Sequence, residues 1–127
     1  MDDDFIIRMH VTRILENAGF RVMDADTGDA GLALLEKHYL NFVLLFTDVQ
    51  MPGHLDGFAL ARKAAAAWPH ISIVVASGHA IPRPGAMPDK ARFIGKPFSA
   101  ELVHAHLQEI LPDGQQPIPL KNSRHDQ

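Results

Sequence analysis

Residues 42–48 read FVLLFTD, an apolar run of strand length that ends in a hydroxyl and a carboxylate. The run does not alternate between polar and apolar side chains, a pattern typical of a parallel strand with helices on both faces. A similar run, ISIVVA at residues 71–76, follows an alanine-rich stretch. The sequence therefore predicts a buried parallel sheet in which Asp48 ends one strand.

Helix and strand patterns alternate along most of the chain. The spacing of apolar and capping residues predicts helices and two further short strands: helices over 5–18, 28–38, 56–68 and 99–111, and strands at 21–25 and 92–95. Thr27 and Ser99 are candidate N-caps, because their hydroxyls can accept a hydrogen bond from the first helical turn. Residues 78–90 hold too many prolines and glycines for a regular helix and predict an irregular crossover. The expected fold class is α/β, a doubly wound parallel sheet with right-handed crossovers.

Composition limits what the chain can be. Its 127 residues suit one domain, and 46% hydrophobic with 21% charged residues is typical of a globular protein. The net charge of −3 gives no basic field for nucleic acid, and the lack of cysteine excludes disulfides and thiolate catalysis. Without an export signal or an apolar run long enough for a bilayer, we expect a cytoplasmic protein with no membrane or direct nucleic-acid partner. We expect one domain over residues 1–111 and a polar tail over 112–127.

Four short motifs each follow a predicted strand or stand at the start of the chain. They are Asp2-Asp3-Asp4, TDVQMPG at 47–53, Ser77-Gly78 and KPF at 96–98. Asp48, Ser77 and Lys96 fall at carboxyl ends of strands, where ligands of open parallel sheets bind. Over about residues 2–111 the chain resembles the receiver domain of two-component response regulators. The resemblance implies a flavodoxin-like sheet of order 2-1-3-4-5.

The resemblance also implies a phosphoacceptor and a metal site. Asp48 is the expected acceptor of a phosphoryl group from a sensor histidine kinase or a phosphotransfer protein. Crowded carboxylates repel unless they bind a cation, and hard oxygen ligands favour Mg²⁺. By resemblance, Asp3 and Asp48 bind this Mg²⁺ directly, the backbone carbonyl of Gln50 is a further ligand, and Asp2 acts through water.

The remaining expected roles concern catalysis and signalling. Lys96 supplies a cation that offsets charge on the transferring oxygens. The Ser77 hydroxyl then bonds to a phosphoryl oxygen, and the ring of Phe93 turns inward as the second part of the switch. The protein is expected to be no conventional enzyme, but a phosphoacceptor that assists its own phosphorylation and dephosphorylation and signals to a downstream protein target by conformational change.

One departure from the family pattern is large. The acidic pair normally ends a first, central strand, but only Met1 precedes Asp2. The slot of that strand lies between the predicted strands at 21–25 and 42–47, so its loss leaves two inner edges without a partner. A second chain is the expected donor, through a homodimer formed by strand exchange, because Pro117 and Pro119 make the tail a poor central strand.

Other readings stay open at this point. A pseudo-receiver, impaired in phosphorylation, acts through protein binding alone. A phosphohydrolase of the haloacid dehalogenase type also forms an aspartyl phosphate, but it needs a second Asp where Gln50 stands. Each residue, taken alone, also has an ordinary structural interpretation. Asp48 can be an acid that ends a strand, Lys96 a solvated lysine and Ser77 a turn serine. Phe93 can be a fixed core ring, and Asp2-Asp3-Asp4 can be a frayed terminus.

Overall fold

The structure is a computed structural model and describes residues 5–49, 55–78, 85–88 and 90–121. Within these ranges the chain forms five α-helices and three strands. They are α1 Phe5–Asn17, α2 Gly28–His38, β1 Leu44–Asp48, α3 Gly57–Ala67, β2 Ser72–Ser77, β3 Arg92–Gly95, α4 Ala100–Ile110 and α5 Ile118–Lys121, with a 3₁₀ turn at Asp113–Gln115.

The described strands form one parallel sheet of order β1-β2-β3. Leu45 lies opposite Ile73, and Val75 lies opposite Phe93, so the three strands are in a continuous register. This confirms the predicted parallel α/β fold. The observed strands β1, β2 and β3 correspond to strands 3, 4 and 5 of the expected order 2-1-3-4-5.

Each face of the sheet is covered by helices, as the unbroken apolar runs predict. One core cluster joins α1, α4 and α5 to the sheet, and it includes Phe46, Val74, Ala76 and Ile94. The other joins α2 and α3 to the opposite face, and it includes Leu45, Ile73 and Val75. Because side chains alternate along a strand, neighbours in each strand serve different clusters.

Side-chain caps set the starts of three helices. Thr27 Oγ1 accepts from Ala30 N at 3.0 Å, and Ser99 Oγ accepts from Leu102 N at 3.1 Å. Asp56 Oδ1 accepts from Ala59 N at 2.8 Å at the start of α3. The predicted caps Thr27 and Ser99 are confirmed, and each satisfies one of the first-turn amides that have no partner inside the helix.

The predicted strand at residues 21–25 is wrong. These residues form no regular secondary structure. A strand there needs hydrogen bonds to the central strand, and within the described ranges no strand lies between it and β1. The segment is held instead by contacts such as the ion pair between Arg8 Nε and Asp24 Oδ2 at 3.2 Å.

Residues 112–121, expected to belong to a polar tail, fold back onto the domain. Leu120 is fully buried in the cluster of α1 and α4. Gln108 Nε2 donates to Leu120 O at 2.8 Å, which ties α5 to α4. The division between domain and tail at residue 111 stays a prediction, but the chain contributes core side chains beyond it.

Two other expectations concern loops and membranes. Residues 85–88 of the predicted crossover form a turn and bends without a helix, and residues 79–84 and 89 lie outside the described ranges. In the part of the chain that the structure describes, no helix has the length and apolar character needed to cross a bilayer.

Candidate functional site

Asp48 and Lys96 meet at the carboxyl edge of the sheet. Asp48 is the last residue of β1, and Lys96 directly follows β3. Lys96 Nζ lies 3.0 Å from Asp48 Oδ1, with side-chain exposures of 17% and 11%. An ion pair so withdrawn from water is screened less by salt than a surface pair. The structure therefore joins two of the residues that the sequence singled out.

Ser77 ends the strand between them. It is buried, it pairs in register with Gly95, and its carbonyl accepts from Lys96 N at 2.9 Å. This bond extends the β2–β3 ladder by one residue and sets where the Lys96 side chain leaves the sheet. Asp48, Ser77 and Lys96 thus end three adjacent parallel strands.

The backbone at Asp48 is fixed from two directions. Thr47 is fully buried, and its hydroxyl donates to Asp48 O at 2.9 Å. Gly57 N donates to Val49 O at 2.8 Å, and a Cβ at Gly57 would overlap the carbonyl oxygen of Asp48. Only a glycine lets α3 begin this close to the end of β1.

Sequence reasoning did not assign Gly57 a role in the site. The signal available was a glycine directly after the capping residue Asp56. That pattern is common at helix starts, so it carries no information about a contact with residue 48.

Phe98, two residues after Lys96, packs against the core cluster of α1, α4 and α5. The Lys96–Pro97 peptide bond is cis. The ring of Phe98 lies 5.8 Å from that of Phe46 in an edge arrangement and 6.2 Å from that of His10 in a stacked one. The segment after β3 is thereby attached to β1 and α1, which holds Lys96 on the Asp48 side.

The other expected site residues divide into two groups. Phe93 is half-buried and packs on the cluster of α2 and α3. Asp2, Asp3 and Gln50 lie outside the described residues. Within the described ranges no group of three or more His, Cys, Asp or Glu side chains is placed to hold a metal ion.

Chemically, the site offers an oxygen nucleophile beside a cation. The Asp48 carboxylate can attack an electrophilic phosphorus, and the Lys96 ammonium can stabilise negative charge that develops on the transferring oxygens. The buried Ser77 hydroxyl at the neighbouring strand end is a hydrogen-bond donor for such oxygens.

The fold is shared with solved receiver structures. The receiver domain of NtrX from Brucella abortus superposes with a TM-score of 0.75 at 31% identity, covering 87% of this chain and 93% of that one. This neighbour places the protein in the flavodoxin-like α/β class of receivers.

Sequence comparison agrees with the fold. The response regulator receiver protein CpdR of Brucella abortus is 33% identical over 113 residues, 87% of this chain and 86% of CpdR. The C4-dicarboxylate transport transcriptional regulatory protein DctD of Rhizobium meliloti is 38% identical over 104 residues, and the match spans only 22% of DctD. Residues 1–108 match the family described as the response regulator receiver domain. The chain belongs to this family, whose members are phosphoacceptors rather than conventional enzymes.

Proposed function

We propose that the protein is a response regulator receiver that accepts a phosphoryl group on Asp48. The observation that carries the proposal is the 3.0 Å contact between Lys96 Nζ and Asp48 Oδ1 at the carboxyl edge of the sheet. The contact places a fixed cation beside the candidate nucleophile and away from bulk water. Such preorganised charge is among the largest contributions to catalysis of group transfer.

The Asp48 carboxylate is itself the nucleophile in the proposed phosphoryl transfer. An Asp48 carboxylate oxygen forms a bond to phosphorus as the phosphorus–nitrogen bond of a phosphohistidine on the partner kinase or phosphotransfer protein breaks, and the imidazole leaves. Lys96 offsets charge on the phosphoryl oxygens. Ser77 then donates to one of them, and the inward turn of Phe93 passes the change to the surface that a downstream protein binds.

The Asp48 carboxylate fits one requirement for Mg²⁺. This ion is usually held by one or two carboxylates and keeps several waters beside the phosphate oxygens. Asp48 and Asp3 would hold it directly, with the carbonyl of Gln50 and, through water, Asp2. When bound, it neutralises charge on the transferring phosphoryl group.

A labelling experiment tests the proposal. Incubation with acetyl phosphate and Mg²⁺ should add one phosphoryl group to the protein, seen by intact mass, and none to Asp48→Asn. Lys96→Met should retain Asp48 but lose labelling rate by roughly 10²-fold, as expected when one charge-stabilising donor is removed. Equal labelling of the wild type and Asp48→Asn would contradict the proposal.

A pseudo-receiver is the second candidate, favoured by one observation. Within the described residues, β1 has a strand partner on one side only, and Asp48 borders the open side. A titration with Mg²⁺ separates the two functions. Binding at millimolar metal that is lost in Asp48→Asn supports the phosphoacceptor, whereas no binding supports a protein that acts by association alone.

A further inference from the structure

One buried polar side chain beside Asp48 has no role in the proposed transfer. Among the described residues the buried polar or charged residues are Thr47, Asp48 and Ser77. Asp48 is the proposed nucleophile, and Ser77 is the proposed donor to a phosphoryl oxygen. Thr47 is fully buried, and no step of the proposed transfer uses its hydroxyl. The hydroxyl therefore lies next to the nucleophile without being one of the groups that react.

The surroundings of Thr47 favour an apolar side chain of the same shape. Side chains alternate along a strand, so Thr47 lies on the same face of the sheet as Leu45 and Val49. It pairs in register with Val75, and these three residues are buried. Valine has the same branched shape and would bury no hydroxyl, a group whose burial costs free energy unless it is hydrogen-bonded. Packing alone therefore does not account for a threonine here.

The Thr47 hydroxyl binds the peptide unit that follows Asp48. This unit is planar, and it contains the carbonyl oxygen of Asp48 and the amide of Val49. Thr47 Oγ1 donates to Asp48 O at 2.9 Å. At the other end of the unit, Val49 N donates to Ala76 O at 3.2 Å. Because both ends are bound, the plane cannot rotate without breaking one of these hydrogen bonds.

The orientation of this peptide unit affects where the Asp48 carboxylate lies. On the preceding side, the pairing of β1 with β2 fixes the backbone, and on the following side the two hydrogen bonds do so. The direction in which Asp48 Cβ leaves the backbone is therefore set from both sides. From there the carboxylate reaches Lys96, whose Nζ lies 3.0 Å from Oδ1. Group transfer is sensitive to such placement, because a displacement of about 1 Å can cost about 10²-fold in rate.

We propose that Thr47 is a positioning residue for phosphoryl transfer, an inference that rests on the proposed function of Asp48. The Thr47 hydroxyl holds Asp48 O, so that the carboxylate stays directed at Lys96 and at the incoming phosphorus. Thr47 acts through the backbone of Asp48 and takes no part in bond making or breaking. Loss of its hydroxyl therefore slows the transfer out of proportion to the loss of stability.

Two substitutions separate the hydroxyl of Thr47 from the shape of its side chain. Thr47→Val keeps the branched shape and removes the hydroxyl, whereas Thr47→Ser keeps the hydroxyl and removes the methyl group. Ile71→Val, which trims a fully buried side chain directly before β2, is the control for lost stability alone. All three variants should melt about 4 °C below the wild type. With acetyl phosphate and Mg²⁺, only Thr47→Val should lower the maximal labelling rate, by about tenfold, at an unchanged half-saturating concentration of acetyl phosphate.

NMR spectra of carbon-labelled protein test the same claim without phosphorylation. The carboxylate and backbone carbonyl resonances of Asp48 should both move in Thr47→Val and stay near their wild-type positions in Thr47→Ser and Ile71→Val. If the wild type is not labelled, the proposed function fails, and the Asp48 resonances alone decide whether Thr47 orients the carboxylate. An unchanged rate in Thr47→Val, an equal slowing in Thr47→Ser or Ile71→Val, or an unmoved carboxylate resonance in Thr47→Val overturns the inference.

Discussion

The two sides of β1 differ in how they are supported. We call the side that pairs with β2 the closed side, and the side that faces residues 20–25 the open side. On the β2 side every residue from Leu44 to Asp48 has a register partner, and Ile73, Val74 and Val75 are fully buried. On the other side residues 20–25 form no strand, and Met23 is 49% exposed. Asp48 lies at the end of β1, between these regions. The closed side also carries Ser77 and Lys96, and Lys96 contacts the Asp48 carboxylate.

The largest expected effect comes from weakening the closed side. Ile73→Ala removes a fully buried side chain and should lower the free energy of unfolding by about 4 kcal/mol. Val22→Ala, on the half-buried open side, should cost less than about 1 kcal/mol. Urea denaturation of both variants measures the difference, and a larger loss for Val22→Ala would reverse the comparison.

The next effect concerns α5, which supports the open side through α1 and α4. Leu120→Ala should destabilise the protein by about 3 kcal/mol because Leu120 is fully buried. Ile118→Ala is the matched control, since Ile118 is 70% exposed and its loss should stay within about 0.5 kcal/mol. Thermal unfolding of the pair decides whether this segment is part of the domain, and equal midpoints would show that it is not.

A smaller effect is expected where α3 contacts the end of β1. Gly57→Ala forces a methyl group against Asp48 O and should cost about 2 kcal/mol while slowing phosphoryl labelling. Gly114→Ala introduces a methyl group with no heavy atom within 4 Å and should be close to neutral. Unfolding curves and initial labelling rates test both variants. Unchanged labelling in Gly57→Ala would mean that Asp48 does not need this support.

The smallest effect should come from the ion pair across the open side. Asp24→Asn removes the carboxylate that pairs with Arg8 Nε. Because the Asp24 side chain is 57% exposed, the loss of stability should stay below about 1 kcal/mol and shrink in salt. Faster amide exchange should be confined to residues 20–25. Asp113→Asn, which breaks the exposed pair with Lys121, serves as the control. Exchange that also accelerates across β2 would contradict a difference between the two sides.

Most of the closed side could be predicted from sequence because its signals are local. The unbroken apolar runs of β1 and β2 and the capping hydroxyls of Thr27 and Ser99 each act within a few residues. The prediction of a strand at residues 21–25 is wrong because a strand also needs hydrogen bonds to a neighbouring strand, and among the described residues no strand lies beside this segment. A local sequence pattern carries no information about such a neighbour.

The C-terminal segment contributes to the core in a way that its sequence pattern does not report. Pro117 and Pro119 argue against a central strand in this segment, but they do not exclude a helix. Proline is tolerated in the first turn of a helix, where its missing N–H has no intrahelical partner, and Pro119 stands there in α5. Leu120 can therefore be carried into the core by a single helical turn.

The candidate site was foreseen in part. The predicted strand ends place Asp48, Ser77 and Lys96 at one edge of the sheet. In the structure Lys96 Nζ contacts Asp48 Oδ1, and Lys96 N donates to Ser77 O. The contact of Gly57 with Asp48 depends on tertiary packing and left no distinctive pattern in the sequence. Asp2, Asp3 and Gln50 stay predictions.

Asp48 is the residue that we propose accepts the phosphoryl group. Borohydride reduction after acetyl phosphate treatment converts an aspartyl phosphate to homoserine, which peptide mass mapping locates. We predict homoserine at position 48 in the wild type and at no position in Asp48→Asn. Homoserine at another aspartate, or none in the wild type at saturating Mg²⁺, would contradict the account.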